Sequence, residues 1–328
     1  MLRHGEGTAA RRAPARAHTR AGAVLGVLLA TFALGGCGLG TGSAPSAVQL
    51  LVTRDFGGRV LARTAGLRAA EGETVLDLLS ASHAVRAGSQ GDGVASIDGL
   101  SGGPQAHEAG LAQWLYYVNG VQAPERAAAT AVHPGDHVWW DLHDASQPPG
   151  TPAAIVGAFP EPFLNGIDGK RLPVRVECTL VAGYACRAVT ASLRRFGVPA
   201  AIAQVGSGGA PETLRVIVGP WARIGGDLEA QSIARGPRVS GVYARFSDGG
   251  RTLTLLDAQG RPTRTLGADT GLVAATQSAK EAPVWVVTGT ENAGVDLAAR
   301  AFDQATLEDH FAVALTPAGA LALPAPGA

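Results

Sequence analysis

The sequence predicts an α+β protein with two folded domains: a small β-grasp-like N-terminal domain, and a second α/β or α+β domain. Three observations lead to this expectation. Hairpin, helix and further strand signals follow one another over residues 47–145. Residues 145–152 contain Ser, Gly and three prolines, a composition typical of a linker. Beyond the linker, over residues 155–316, strand and helix patterns alternate.

The first 36 residues have the pattern of a secretory signal peptide. Five arginines and a single acid, Glu6, precede an uncharged run from Ala21 to Gly36. That run is shorter than the roughly 20 apolar residues with which a helix crosses a bilayer. A basic segment before a short apolar segment is typical of export signals. The run ends Leu34-Gly35-Gly36-Cys37, which resembles the lipobox of bacterial lipoproteins, where the cysteine becomes lipidated.

Lipid on Cys37 would anchor the protein to the extracytoplasmic face of the cell membrane without a membrane span. Residues 37–46 are rich in Gly, Ser and Thr, and we expect them to form a flexible tether. The alternative is an ordinary signal peptide with a chance cysteine. After the first 36 residues the chain retains 22 basic and 26 acidic residues, a net charge of −4. Because clustered positive charge is missing, no nucleic-acid partner is expected.

The N-terminal domain is predicted element by element. Val48 to Thr53 and Arg59 to Arg63 favour two strands joined by a turn at residues 55–58. Thr74, followed three residues later by Asp77, is close to a capping box and predicts a short helix. Residues 86–110 are rich in Gly and polar residues around a short apolar piece, Val94 to Ile97. Later strands are predicted at residues 113–118 and 137–142, with a tight turn at Asn119-Gly120.

Four segments of this region resemble, in order, the DUF4430 or transcobalamin C-terminal-like domain. They are Val52-Thr53-Arg54-Asp55-Phe56-Gly57, Ser96-Ile97-Asp98-Gly99, Trp114-Leu115-Tyr116-Tyr117-Val118-Asn119-Gly120 and Gly135-Asp136-His137-Val138-Trp139-Trp140-Asp141. In the vitamin B12 carriers this domain is the smaller half of a two-domain clamp over the corrin. The resemblance therefore implies the fold and makes cobalamin, a corrinoid, the first ligand to test. The α-helical half that partners the domain in those carriers is absent from this sequence.

Five of the nine Trp and Tyr residues lie between residues 114 and 140. Such side chains supply large contact areas at binding surfaces, so Trp114, Tyr116, Tyr117 and Trp139 are the predicted ligand-binding residues. Successive strand side chains face opposite ways, so Trp139 and Trp140 cannot share one core. Because Trp140 lies between Val138 and Leu142, Trp139 is predicted to face outward, towards a ligand, another domain or another protein. The alternative is that Trp139 packs under a loop or against the second domain.

No metal site is predicted, although His137, Asp141 and His143 share one strand face. The first and last of these residues are separated by roughly 20 Å along the strand, too far for one ion. Together with His133, these histidines are expected to be solvated at the surface.

The second domain begins with a βαββαβ pattern that permits a ferredoxin-like unit. Strands are expected at residues 174–181, 201–205, 214–218, 242–246, 252–256, 284–288 and 311–315, and helices at 187–196, 227–235 and 293–302. Residues 317–328 are predicted to be a disordered tail. The sequence contains no G-x-S-x-G elbow, P-loop or H-E-x-x-H motif, so no catalytic residue and no enzyme activity are predicted.

Cys178 and Cys186 are the cysteines that follow Cys37. Their spacing matches neither a C-x-x-C redox motif nor a zinc site. Because an exported protein can keep a disulfide, a structural disulfide is favoured over two buried thiols.

Taken together, the sequence favours a membrane-anchored lipoprotein that captures a small-molecule ligand outside the cell, with an importer as a possible partner. No cofactor is predicted apart from cobalamin as a candidate ligand. The alternative is a module that contacts another envelope protein and binds no small molecule. A cleft between two linked domains is a common place for a ligand.

Overall fold

The computed structural model describes residues 46–88, 93–102, 112–144, 152–207, 210–278 and 281–327. The predicted signal peptide, Cys37, the predicted tether except Ser46, and residues 145–151 of the predicted linker lie outside the described residues. Among the described residues, no helix is long and apolar enough to cross a membrane.

Over its described residues, the N-terminal domain contains eight strands and one helix. In chain order they are β1 (Val48–Arg54), β2 (Arg59–Leu67), α1 (Val75–Ser82), β3 (Val85–Ala87), β4 (Val94–Ile97), β5 (Leu100–Ser101), β6 (Ala112–Val118), β7 (Val121–Gln122) and β8 (His137–Asp144). Five strands form a sheet in the order β2-β1-β8-β6-β7. Strands β1 and β8 are parallel, and their outer neighbours β2 and β6 are antiparallel to them. First and last strands paired at the centre of such a sheet define a β-grasp-like domain.

Local sequence signals account for the hairpin and the helix of this domain. The turn between β1 and β2 places Asp55, Phe56 and Gly57 at positive φ. Thr74 caps α1, because its side chain accepts a hydrogen bond from the Asp77 amide while the Asp77 carboxylate accepts one from the Thr74 amide. The apolar residues of α1, Val75, Leu78 and Leu79, are buried against the sheet. The predicted hairpin, helix and later strands are therefore confirmed.

The second domain is built around a seven-stranded sheet. Its elements are β9 (Val174–Cys178), α2 (Tyr184–Arg195), β10 (Ala200–Gln204), β11 (Leu214–Pro220), α3 (Trp221–Ile224), α4 (Leu228–Ala234), α5 (Pro237–Ser240), β12 (Ala244–Ser247), β13 (Thr252–Leu256), β14 (Pro262–Leu266), β15 (Gly271–Thr276), β16 (Val284–Gly289), α6 (Asn292–Arg300), α7 (Gln304–Leu307), β17 (Ala312–Thr316) and β18 (Gly319–Leu323).

The order of the large sheet is β10-β9-β11-β16-β15-β17-β18. The first four strands are parallel, whereas β15, β17 and β18 pair with their neighbours in antiparallel fashion. A ferredoxin-like unit is antiparallel, so that expectation is wrong. The predicted disordered tail at residues 317–328 is also wrong, because β18 completes the sheet by pairing with β17.

Alternating side chains give the large sheet two buried faces. One face carries Val176, Val216 and Trp285, and it packs against α2 and α6. The other face carries Ile217 and Val286, and it joins a core that also contains the three-stranded sheet β12-β13-β14. That second core continues into the N-terminal domain through Leu51, Phe56, Tyr117 and Trp139. The two domains therefore share one hydrophobic core and belong to one compact unit.

Candidate functional site at the domain interface

Strand β8 places two sets of side chains on opposite faces. Val138, Trp140 and Leu142 lie in the core of the N-terminal domain, as predicted. Trp139 occupies the opposite face and is fully buried, with 0% of its surface exposed. The prediction that Trp139 is exposed is therefore wrong, because the second domain covers this face.

Trp139 is held tightly at the interface. Its indole N–H donates a hydrogen bond of 2.6 Å to Thr53 Oγ1. Its ring meets Phe311 of the second domain edge to face, with centroids 5.3 Å apart. A Cβ atom added to Gly157 would lie 2.6 Å from the ring, so only glycine permits this approach.

The other predicted ligand-binding residues are also buried. Tyr117 has no exposed surface and meets Phe311 with centroids 5.4 Å apart. Trp114 and Tyr116 belong to the core of the N-terminal domain. The Trp114 indole donates to the Leu100 carbonyl over 3.1 Å, and Tyr116 stacks on Trp140. These four side chains do not form an open binding surface in this structure.

A buried carboxylate, Asp141, organises the edge of the interface. It accepts hydrogen bonds from the Thr53 hydroxyl, from the amides of Phe56 (3.0 Å) and Gly57 (2.9 Å), and contacts His143 Nδ1 at 2.6 Å. Such bonds offset the desolvation of a buried charge. They also fix the turn whose Phe56 ring contacts Phe311, with centroids 5.3 Å apart.

The Asp141–His143 pair has the geometry of a catalytic dyad but not its surroundings. Both side chains are almost fully buried, and His143 Nε2 has no hydrogen-bond partner among the described residues. A nucleophilic hydroxyl or thiol within reach of Nε2 would be needed for catalysis. In this structure Asp141 links His143 to the amides of the turn between β1 and β2. The expectation that His137 and His143 are solvated is wrong, since both are buried.

An ion-pair cluster crosses the interface beside the aromatic residues. The Arg63 guanidinium on β2 donates to Glu308 over 2.5 Å and also to Asp309. Both acids follow α7 in the second domain. One arginine thus binds two carboxylates of the other domain.

Next to this cluster lies a cleft of about 150 Å³, which we call the interdomain cleft. Exposed residues form its mouth, and buried residues form its floor. It is lined by Ala47, Gln49, Arg63, Gly135, His137, Gly157, Ala158, Phe159, Pro160, Glu161, Leu164, Asn165, Phe196, Gln304 and Glu308. Four of these residues, Arg63, His137, Glu161 and Glu308, are ionisable.

Glu161 is the acidic group at the floor of the cleft, with 5% of its surface exposed. Its carboxylate accepts hydrogen bonds from the Asn165 amide (2.8 Å) and the Asn165 side-chain nitrogen (2.5 Å). Burial raises the pKa of Glu161 to about 7, although the bonds from Asn165 act in the opposite direction. The group therefore exchanges its proton near neutral pH.

His137 is the second buried ionisable group of the cleft. Its backbone N–H donates to Asn119 Oδ1 over 2.8 Å, and its Nδ1 has no hydrogen-bond partner among the described residues. Burial, assisted by the charge of Arg63, lowers the pKa of His137 to about 4. The imidazole is therefore neutral at pH 7.

A second cleft, of about 190 Å³, lies where β9 and β11 end and α2 and α6 begin. The Cys178–Cys186 disulfide lines it, which confirms the predicted pairing. Its ionisable side chains are Tyr184 and Asp296, neither of which is buried. The smaller interdomain cleft is therefore the better candidate site, because two of its ionisable groups, Glu161 and His137, are buried.

Comparison with known proteins finds one family match, in the first domain. Residues 72–144 match the family model described as "Domain of unknown function (DUF4430)". This part of the chain is a DUF4430 domain, as its motifs predicted. A search of curated proteins finds no match for the chain.

Proposed function

We propose that this protein is a lipid-anchored extracytoplasmic binding protein that holds a small polar molecule in the interdomain cleft. The observation that carries the proposal is the pair of buried ionisable side chains, Glu161 and His137, which line a cleft between two domains. Burying such groups costs free energy. Their position beside a cleft is typical of a binding site.

The size of the cleft limits the ligand. A cavity of about 150 Å³ is large enough to bind a molecule such as benzene, so the ligand has only a few non-hydrogen atoms. A corrinoid is much larger than this space. In addition, the aromatic residues nominated for corrinoid binding are covered by the second domain or lie in the first domain's core. Cobalamin is therefore expected not to bind and serves as the negative control.

The proposed anchor rests on the sequence of the first 37 residues. A basic segment, a short apolar segment and a lipobox-like ending favour lipid on Cys37. Anchored there, the protein would bind its ligand next to the membrane and deliver it to an importer.

The ligand-binding part is tested by blocking the cleft. Ala47 lines the mouth and is exposed, so Ala47→Trp fills the entrance without disturbing a packed core. We expect small polar ligands found by thermal-shift screening to raise the melting temperature of the wild type but not of this variant. Ala128→Trp, at an exposed position outside the cleft lining, is the control and should behave like the wild type. Equal shifts in all three proteins would contradict the proposed site.

The anchoring part is tested by replacing one thiol. Cys37→Ser should move the protein from the membrane fraction to the soluble fraction of fractionated cells, because it removes the attachment point of the lipid. Labelling with a radioactive fatty acid should be lost in parallel. Retention of the variant in membranes would contradict the lipoprotein assignment.

A second candidate function, docking onto another envelope protein, is favoured by one surface. The loop between Cys178 and Cys186 exposes Leu180 (64%), Val181 (41%) and Tyr184 (44%). Exposed apolar clusters of this kind often mark protein contacts. Crosslinking in cells, with Leu180→Ser beside wild type, distinguishes this candidate. Loss of a specific crosslinked partner only in the variant would favour docking.

A further inference from the structure

The positive charge in the interdomain cleft is already compensated. Among the described residues that line the cleft, Arg63 is the only arginine or lysine. Its guanidinium donates to Glu308 and to Asp309, two carboxylates of the second domain. An anionic ligand would therefore approach an arginine that is fully engaged, and it would meet the carboxylates of Glu161 and Glu308 as well.

The negative charge of Glu161, in contrast, has only a neutral hydrogen-bond partner, and the charge of Arg171 acts on it without a salt bridge. Both of its hydrogen bonds come from Asn165. Within the described part of the chain, Glu161 forms no salt bridge. A carboxylate offers about four lone-pair positions, so acceptor capacity remains on both oxygens.

His137 adds a second acceptor at the floor of the same cleft. It is more than nine-tenths buried, and its Nδ1 is unpaired among the described residues. In the neutral tautomer that carries its proton on Nε2, Nδ1 accepts a hydrogen bond. In that tautomer, His137 Nδ1 and the Glu161 oxygens are the atoms of the floor that can each accept a further hydrogen bond.

We propose that the interdomain cleft binds a small primary amine as its ammonium ion, with the Glu161 carboxylate as counter-ion and His137 Nδ1 as a second acceptor. The inference rests on the proposed function and specifies its ligand class. An ammonium group has three N–H donors and no acceptor, which matches the acceptor-rich floor. Phe159, Pro160 and Leu164 line the same cleft and form an apolar wall for the alkyl part of the amine.

The ammonium proposal has a consequence for pH dependence. The pKa of Glu161 lies at about 7, raised chiefly by burial and also by Asp136, and lowered by Asn165 and Arg171. A bound cation favours the carboxylate form, so binding near pH 7 should release protons. Below pH 7 the affinity should fall by about tenfold per pH unit, because Glu161 must first lose its proton.

The test uses the full-length protein and three probes of matched size: n-butylammonium, 1-butanol and propionate. Isothermal titration calorimetry at pH 7.5 should show binding of n-butylammonium alone. Glu161→Gln removes the charge with little change in shape, and should weaken that binding by at least about tenfold. Glu212→Gln is the control, because Glu212 is an exposed glutamate paired with Lys170.

If Glu161→Gln fails to fold, it cannot report on ammonium binding. The wild type is therefore also titrated with n-butylammonium between pH 5.5 and 8, in buffers of different ionisation enthalpy. Proton release and weaker binding at low pH support the proposal. Binding of propionate or 1-butanol without n-butylammonium would overturn the ligand class while leaving the cleft as a binding site. Absence of n-butylammonium binding overturns the inference, and n-butylammonium binding that Ala47→Trp does not affect overturns the cleft itself.

Discussion

Replacing Trp139 by alanine should strongly destabilise the protein, because this side chain joins the two domains. A buried tryptophan removes about 150–250 Å² from water, which at about 25 cal/mol/Å² corresponds to about 4–6 kcal/mol. Measured losses for such truncations in cores are about 3–5 kcal/mol. The hydrogen bond to Thr53 adds about 1 kcal/mol. We therefore expect a loss of about 4–5 kcal/mol, a large fraction of the roughly 5–15 kcal/mol by which proteins are stable.

Urea unfolding followed by far-ultraviolet circular dichroism measures this loss. Trp139→Phe separates the two contributions, since it keeps an aromatic ring but removes the N–H donor, and it should lose only about 1–2 kcal/mol. Trp140→Ala should lose about as much as Trp139→Ala, because Trp140 stacks on Tyr116 in the core of the N-terminal domain. Leu228→Ala, at a position that is 76% exposed, is the control and should stay within about 0.5 kcal/mol of the wild type.

The reasoning would be refuted if Trp139→Ala lost less than about 1 kcal/mol while Trp140→Ala lost the full amount. That result would mean that Trp139 is exposed to water in solution and that the two domains do not share a core. The aromatic face of β8 would then be available to a ligand, as the sequence alone had suggested.

Four further outcomes are expected from the described contacts. Arg63→Ala should lose at most about 1 kcal/mol, and less in 1 M salt, because the arginine side chain is 36% exposed. Replacing Cys178 and Cys186 by alanine should lower the free energy of unfolding by about 2.5 kcal/mol, the loop-closure value for a ring of this size. Relative to the wild type, the free energy of unfolding of Glu161→Gln should increase as pH rises from 4.5 to about 7, by up to about 3 kcal/mol. The reason is that burial raises the pKa of Glu161, so the wild type loses stability as this carboxyl group ionises with rising pH. His137→Gln should show the opposite trend. Relative to the wild type, its free energy of unfolding should increase as pH falls from 6.5 to about 4, because the pKa of His137 is lowered on folding. Identical pH profiles for both variants and the wild type would contradict the assignment of these two groups as buried.

Much of the fold could be predicted because its signals are local. The capping residues of α1, the turn at Asn119-Gly120 and the alternation along β8 each act within a few residues of the chain. The alternation correctly separated Trp139 from Trp140. It could not identify what covers the second face, because periodicity reports that a strand has two sides and not which residues they contact.

The missed elements depend on contacts between distant residues. Strand β18 lies in a tail of Gly, Ala and Leu whose composition resembles disorder, and it becomes a strand because β17 offers it a free edge. Strand β15 has no polar alternation, since both faces of the sheet are covered: Leu272 and Ala274 lie in one core, and Val273 and Ala275 lie in the other. Glu161 follows a proline in a segment with no strand or helix pattern, and its burial against the first domain has no local signal. The interdomain cleft was therefore anticipated only as a general possibility.

The core shared by Leu51, Phe56, Tyr117 and Trp139 with the second domain limits how the DUF4430 domain can be separated from its neighbour. A fragment ending near residue 144 would expose these four apolar side chains to water on one sheet face, so we expect it to aggregate or to recruit other hydrophobic surfaces during expression. Any shorter relative that carries this domain alone needs polar residues at these positions, or a separate chain to shield them. The residue types found there thus indicate whether a DUF4430 domain is self-sufficient or depends on a companion.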